Sequence, residues 1–340
     1  MKVKYLGIED NLIKLQNEEN FIGLFELGFL KQKIADFEYV NTGIKRIEFN
    51  LELNKAMQKC ENLLRLKTVT GSDIKKLRDG LYLISYSQDT YILYITDEFC
   101  KFKTEGLIAS VINDIEMNKL IVIGGRKLKS ARNMFTNIEY LRELDLKYFD
   151  TSNILNMDFM FRDLRLVESL DLSSFDTSSV TSMCDMFSFC GRLCEINLKS
   201  FNTSRVTDMH GMFADCCSLE QIDLSNFDTS NVTDMSNMFS NCNNLKSLNL
   251  SNFNTSRVTD MQGMFSQCDK LKQLDLSNFN TSRVTDMNGM FSQCGKLKWL
   301  DLSNFDIMNV EDMKFMFYSC ESLSTVKQGN FNIFEIKKKV

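Results

Sequence analysis

The sequence predicts an α/β solenoid with a parallel sheet on one face, preceded by a small α+β domain. Three observations carry this expectation. A phenylalanine recurs at Phe149, Phe175, Phe201, Phe227, Phe253, Phe279, Phe305 and Phe331, each 26 residues after the last. A Met-Phe pair keeps the same step from Met134-Phe135 to Met316-Phe317. Residues 1–116 carry no echo of that period. A fixed period held in two columns marks a stack of like units, none of which can bury its apolar stripe alone. The chain of 340 residues therefore divides into a domain at 1–116 and a solenoid at 117–340.

Each unit reads as two arms. Leu248 and Leu250, then Leu274 and Leu276, alternate with polar residues, the pattern of a short strand with one buried face. Asn and Ser turn the chain after it. Val258, Met261, Met264 and Phe265 fall at i, i+3, i+6 and i+7, which predicts one face of a short helix or helical turn with Thr259 or Asp260 as its cap. The Thr-Ser pairs, such as Thr203-Ser204, read as turn and capping groups. Stacked at ~4.8 Å per coil, eight coils make a body of roughly 38 Å.

The ends differ from the middle. Leu120 to Gly125 supplies a strand, and Leu128 and Ala131 stand in the Val and Met columns, so the first coil reads as a cap. Val326, Phe331, Ile333, Phe334 and Ile336 make an apolar finish before Lys337, Lys338 and Lys339. In the N-terminal domain, Leu81–Ser85 and Thr90–Thr96 read as a hairpin around Tyr86–Asp89. Ser72–Gly80 reads as a capped short helix, and Leu51–Leu66 as a second helix.

Composition bounds the function. Apolar residues at 44% and charged residues at 25% are ordinary for a globular chain. A net charge of −5 argues against a broad basic face for nucleic acid. Eleven cysteines cannot all pair within the chain, so they are expected as reduced thiols. The N-terminus has lysines but no following apolar stretch, and no window reaches the length of a membrane span. The expectation is a cytoplasmic protein without a membrane span, or one at the cell surface if a leader has been removed.

The run Leu224-Ser225-Asn226-Phe227-Asp228-Thr229-Ser230-Asn231-Val232-Thr233-Asp234-Met235-Ser236-Asn237-Met238-Phe239 resembles the 26-residue leucine-rich-type repeat of the BspA-like bacterial surface proteins. The resemblance covers about residues 117–334. It implies a leucine-rich-repeat-like, right-handed coil and a non-catalytic role in adhesion and recognition. It carries over no catalytic residue.

Candidate sites come from columns and from breaks in them. Cys190, Cys216, Cys242, Cys268, Cys294 and Cys320 share a column, which reads as a row of small buried thiols in preference to a metal array. The single histidine, His210, sits in a column of mixed residues with no partner evident for nucleophilic catalysis. Asp171, Asp223, Asp275 and Asp301 lie between the two strand leucines and should project from the sheet in register. They read either as an acidic strip for a basic protein segment or as a solvated sheet face. Trp299 replaces Glu, Ser or Gln in its column and is a candidate binding anchor. Phe189 and Tyr318 are similar breaks.

The function these readings support is a protein-interaction module with no catalytic residue, metal or cofactor. Its expected contact residues are Asp171, Asp223, Asp275, Asp301 and Trp299, and its partner is a protein with a basic surface. Two alternatives stay open: an intracellular inhibitor of phage or mobile-element origin, and an enzyme in residues 1–116 with the solenoid as targeting arm.

Overall fold

Alternating Leu-x-Leu segments and Met-x-x-Met-Phe segments give the chain two surfaces to bury per repeat, and both stack on the repeat before. The structure is a computed structural model. It describes residues 3–9, 12–17, 22–26, 74–78, 81–87, 89–95, 99, 107–113 and 115–328. The chain forms two compact units, Met1–Lys101 and Phe102–Val340.

In the first unit β1 (Val3–Glu9), β2 (Leu12–Asn17) and β3 (Ile22–Glu26) form an antiparallel meander. A second one joins β4 (Ile74–Arg78), β5 (Leu81–Ser87) and β6 (Thr90–Ile95). The β5–β6 hairpin is the one its alternation predicts, with Leu81, Leu83 and Leu93 buried. The short helix expected at Ser72–Gly80 is corrected: Ile74–Arg78 is a strand, with Ile74 opposite Ile84 and Lys75 opposite Leu83. Pairing with a neighbouring strand outweighs the weak local helix preference of five residues. The helix expected at Leu51–Leu66 lies outside the described residues.

The second unit begins with the six-residue helix α1 (Leu107–Ile112). It continues as a β-solenoid of parallel segments, with almost no helix among the described residues. The strand arm is regular toward the ends: β7 (Lys119–Gly124) pairs with β8 (Glu143–Phe149), β9 (Ser169–Asp171) with β10 (Glu195–Asn197), and β11 (Trp299–Leu302) with β12 (Thr325–Gln328). Residues 221–224 and 247–250 form no assigned strand. The apolar finish beyond Val326 lies outside the described residues.

The other arm carries the more continuous ladder. Parallel bridges run Ser130–Asn156–Ser182–Asp208–Asp234–Asp260–Asp286–Asp312. Every second amide donates to the next coil: Met157 to the Ser182 carbonyl, Phe159 to Cys184, Phe161 to Met186 and Asp163 to Ser188, all at 2.8–3.0 Å. The amides between them close turns, as Met160 does on Met157 and Arg162 on Phe159.

Of the short helix or helical turn expected for this arm, the helix is absent and single turns closed by i→i+3 bonds stand in its place. Two positions in each coil have positive φ, one at 133, 159, 185, 211, 237, 263, 289 and 315, the other four residues on. Gly211, Gly263, Gly289, Asn237 and Asp185 suit the left-handed region. A bulky residue such as Phe159, Phe189 or Phe315 there costs on the order of 1 kcal/mol. Left-handed residues at this spacing stop the chain from closing helical hydrogen bonds and turn its amides toward the next coil.

Inside, identical side chains lie over one another. Every Met-Phe pair from Met134-Phe135 to Met290-Phe291 is fully buried. Phe135, Phe161, Phe187, Phe213, Phe239, Phe265, Phe291 and Phe317 form one stack, with centroids 5.5–5.9 Å apart and planes within 11°. That spacing exceeds the ~4.8 Å separation of neighbouring strands, so the rings are offset. Asn252 Nδ2 donates to the carbonyls of Leu224 and Phe227 at 2.9 and 2.7 Å, and Asn226, Asn278 and Asn304 repeat the clamp.

Two polar rows are buried within this core. The threonine of each Thr-Ser pair is buried, and its hydroxyl both donates to and accepts from one residue of the next coil. Thr203 Oγ1 donates to the Asp228 carbonyl at 2.8 Å and accepts from the Asp228 amide at 2.8 Å. Thr177, Thr229, Thr255 and Thr281 do the same with Asn202, Asn254, Asn280 and Asp306. The cysteine column is the second row, buried from Cys190 to Cys294 and half-buried at Cys320. Each thiol from Cys190 to Cys320 points at the carbonyl of a phenylalanine in the preceding coil, at 2.9–3.3 Å. Burial pushes Cys190 and Cys294 up to about 12, so both thiols are protonated at neutral pH.

Candidate functional site

The strand arm places all five expected contact residues on one face. In β11 Leu300 and Leu302 point inward while Trp299 and Asp301 point outward, and Trp299 is 44% exposed. Trp299 lies between Gln273 and Thr325 of the flanking coils. Asp171, Asp223 and Asp275 are exposed in the same column as Asp301. At the N-terminal coils this face is hollowed by about 620 Å³, with Lys119, Glu143, Asp145, Lys147, Ser169 and Asp171 in its walls.

Each strip carboxylate also has a local task. Asp171, Asp223, Asp275 and Asp301 accept from the amide two residues on, at Ser173, Ser225, Ser277 and Ser303, at 2.9–3.1 Å. Asn197 and Asn249 do the same for Lys199 and Ser251. An amide oxygen serves this turn as well as a carboxylate, which accounts for the mixture of Asp and Asn in the column. The Ser303 hydroxyl, then Lys327 at 2.9 Å, bring Asp301 down to about 2. Ser173 and Ser225 hold Asp171 and Asp223 below the usual carboxylate range, and so does Ser277 for Asp275. All four are ionised at neutral pH.

The turn arm gives a second face. His210 has partners there that the sequence does not reveal. Its Nδ1 lies 2.7 Å from Ser236 Oγ, and its Nε2 lies 3.9 Å from Asp185. The set of residue types matches a Ser-His-Asp triad, but the hydrogens run the other way. Ser236 is buried and donates to Asp234 at 2.5 Å, so Nδ1 is the donor toward Ser236 and cannot act as its base. Toward the C-terminal end, a hollow of about 450 Å³ opens over Gly263 and Gly289, beside an edge-to-face pair of Phe315 and Tyr318 with centroids 6.0 Å apart.

On the same arm Asp208, Asp234, Asp260, Asp286 and Asp312 stand in register, joined by the backbone bridges. Burial raises Asp208 and Asp260, and the carboxylates on the neighbouring coils add to it. Asp260 faces Asp234, Asp286 and, more weakly, His210. Asp260→Asn is expected to stabilise the coil by ~0.5 kcal/mol at neutral pH, because like charges side by side on a ladder repel. Asn keeps the turn, as Asn156 shows by accepting from the Asp158 amide at 3.0 Å. A raised carboxylate destabilises the fold above its folded pKa and is neutral to stability below its unfolded value of 3.8. The gain should therefore be full at neutral pH and disappear below that value, as read from thermal melts of both chains. A gain unchanged in acid would rule the explanation out.

A family model described as Mycoplasma protein of unknown function, DUF285, matches residues 129–247 and again 233–338. The chain belongs to the DUF285 family. No curated protein and no solved structure matches it. The DUF285 match starts at Lys129, beside the first bridge at Ser130, and therefore falls on the coils that carry both faces. No helix among the described residues of this DUF285 protein is long and apolar enough to cross a membrane.

The sequence could have shown the left-handed columns. Glycine recurs at 211, 263 and 289, with Asn237 between, at the repeat step. Such a column signals φ > 0 more directly than the apolar spacing signals helix.

Proposed function

We propose that the chain is a non-catalytic interaction module, a leucine-rich-type coil of 26-residue repeats that holds a partner protein on its strand face. Trp299 carries the reading. It is the single tryptophan of the chain, it stands where the six coils before it place Glu, Ser or Gln, and it is held on a paired strand with its ring partly open to solvent. Large aromatic side chains at the centre of a contact supply much of its energy. A repeating, hydrogen-bonded frame lowers the ordering needed on binding. Asp171, Asp223, Asp275 and Asp301 contribute long-range attraction for a partner with a basic surface, beyond their turns.

The column supplies variants that suit the fold. Trp299→Gln copies Gln273, and Asp223→Asn with Asp275→Asn copies Asn197 and Asn249. For a partner captured from source-cell lysate and then purified, Trp299→Gln is expected to weaken binding by about 30-fold. The double variant is expected to slow association and reduce its salt dependence. Equal affinity for wild type and Trp299→Gln, measured by titration calorimetry, would discard the strand face as the contact.

A further inference from the structure

We propose that the turn face holds a receptor for a carboxylate flanked by an aromatic or apolar group, built from Arg132, Phe159, Arg162 and Phe189, and that its ligand is an acidic residue of a peptide. The four side chains alternate cation and ring. The Arg132 guanidinium lies 4.9 Å from the Phe159 centroid, and that of Arg162 lies 5.3 Å from Phe159 and 5.0 Å from Phe189. Arg162 thus stands over rings from two successive coils.

The charges around it are spoken for, and its own is not. Arg132 donates to Asp158 at 2.5 Å, and Arg165 donates to Asp163 at 2.7 and 2.9 Å. Asp185 lies 3.9 Å from His210 Nε2 on the next coil. Among the described residues no carboxylate forms an ion pair with Arg162. One planar, uncompensated guanidinium matches the single charge and two coplanar oxygens of a carboxylate. A phosphate carries close to two charges and would leave one unmet.

The rings make sense in the same terms. Phe159 and Phe189 occupy left-handed positions, φ 56° and 61°, that the other coils give to Gly, Asn, Asp or Gln except at Phe315 and Ser319. Phe189 remains 42% exposed, so little burial offsets that backbone strain. Packing against Arg162, and offering a partly open ring beside it, is the role the proposal gives these two residues. The site lies on the turn arm and is independent of the strand-face reading.

The test uses the full chain and two blocked peptides, acetyl-Gly-Phe-Glu-Gly-amide and its Gln counterpart, titrated by calorimetry and by NMR of the arginine Nε–H signals. The Glu peptide is expected to bind about tenfold or more tighter than the Gln peptide, and to shift the Arg162 signal. Arg162→Ser copies Ser188 in its column, and Phe189→Asp copies Asp215. Each should lose about tenfold or more while keeping the wild-type melting temperature or exceeding it. Arg162→Lys should lose as much, since lysine keeps the charge but neither stacks nor forks. Equal binding of the two peptides, no saturable binding by either, full affinity in Arg162→Ser or Arg162→Lys, or tighter binding of inorganic phosphate would each overturn the proposal.

Discussion

Phe239→Ala is expected to remove about 3–5 kcal/mol of folding stability. The ring is fully buried and sits mid-stack, 5.7 Å from Phe213 and 5.9 Å from Phe265. Both neighbours are fixed by their own stacking and by backbone ladders on each side, so the cavity left behind cannot collapse. In a coil whose repeats touch only their neighbours, a defect in the middle also uncouples the two halves. Urea unfolding of the variant should show a lower midpoint and a broader transition. Phe189→Asp is the contrast: the same residue type, but exposed and at a left-handed position, where removal should leave the midpoint unchanged or raise it. A Phe239→Ala midpoint within error of wild type would refute the stacked core.

Thr203→Val is expected to destabilise the chain by ~2 kcal/mol, more than Thr203→Ser does. Valine has nearly the shape of threonine, so packing is kept. What is lost is the hydroxyl that satisfies both the amide and the carbonyl of Asp228, buried between coils. Serine keeps that hydroxyl and loses one methyl group, worth roughly 0.8 kcal/mol. The order wild type, Ser, Val in urea midpoint is therefore the signature of an inter-coil polar clamp. A Val variant at least as stable as Ser would mean that the threonine column is held by its methyl groups alone.

These two columns show how legibility varied. Phe239 was readable because a core position repeats one large apolar residue without exception, and a fixed step between identical residues has few explanations. Thr203 was readable as a turn residue only. Its partner lies 25 residues away, and nothing local announces that a small polar side chain faces inward. The Asp column was legible as a row on the sheet face, but its Asp and Asn mixture records a local amide acceptor as much as a charged strip. Trp299 and Phe189 were found because each breaks its column. Arg162 was not, since the positions above it already vary from Ser to Ala to Tyr, and its significance comes from two rings in different coils.

The period of 26 residues, and with it which side chains lie over one another, was determined by the sequence alone. Like residues at a constant interval need like surroundings, and only stacking supplies them. The conformation of the Met-Phe arm was decided by the tertiary structure. Its apolar spacing is compatible with a helix, but every second amide finds its acceptor one coil away, and two left-handed residues per coil aim those amides outward along the stack. A hydrogen bond between coils depends on a neighbour a whole repeat distant, and no local window of residues contains it.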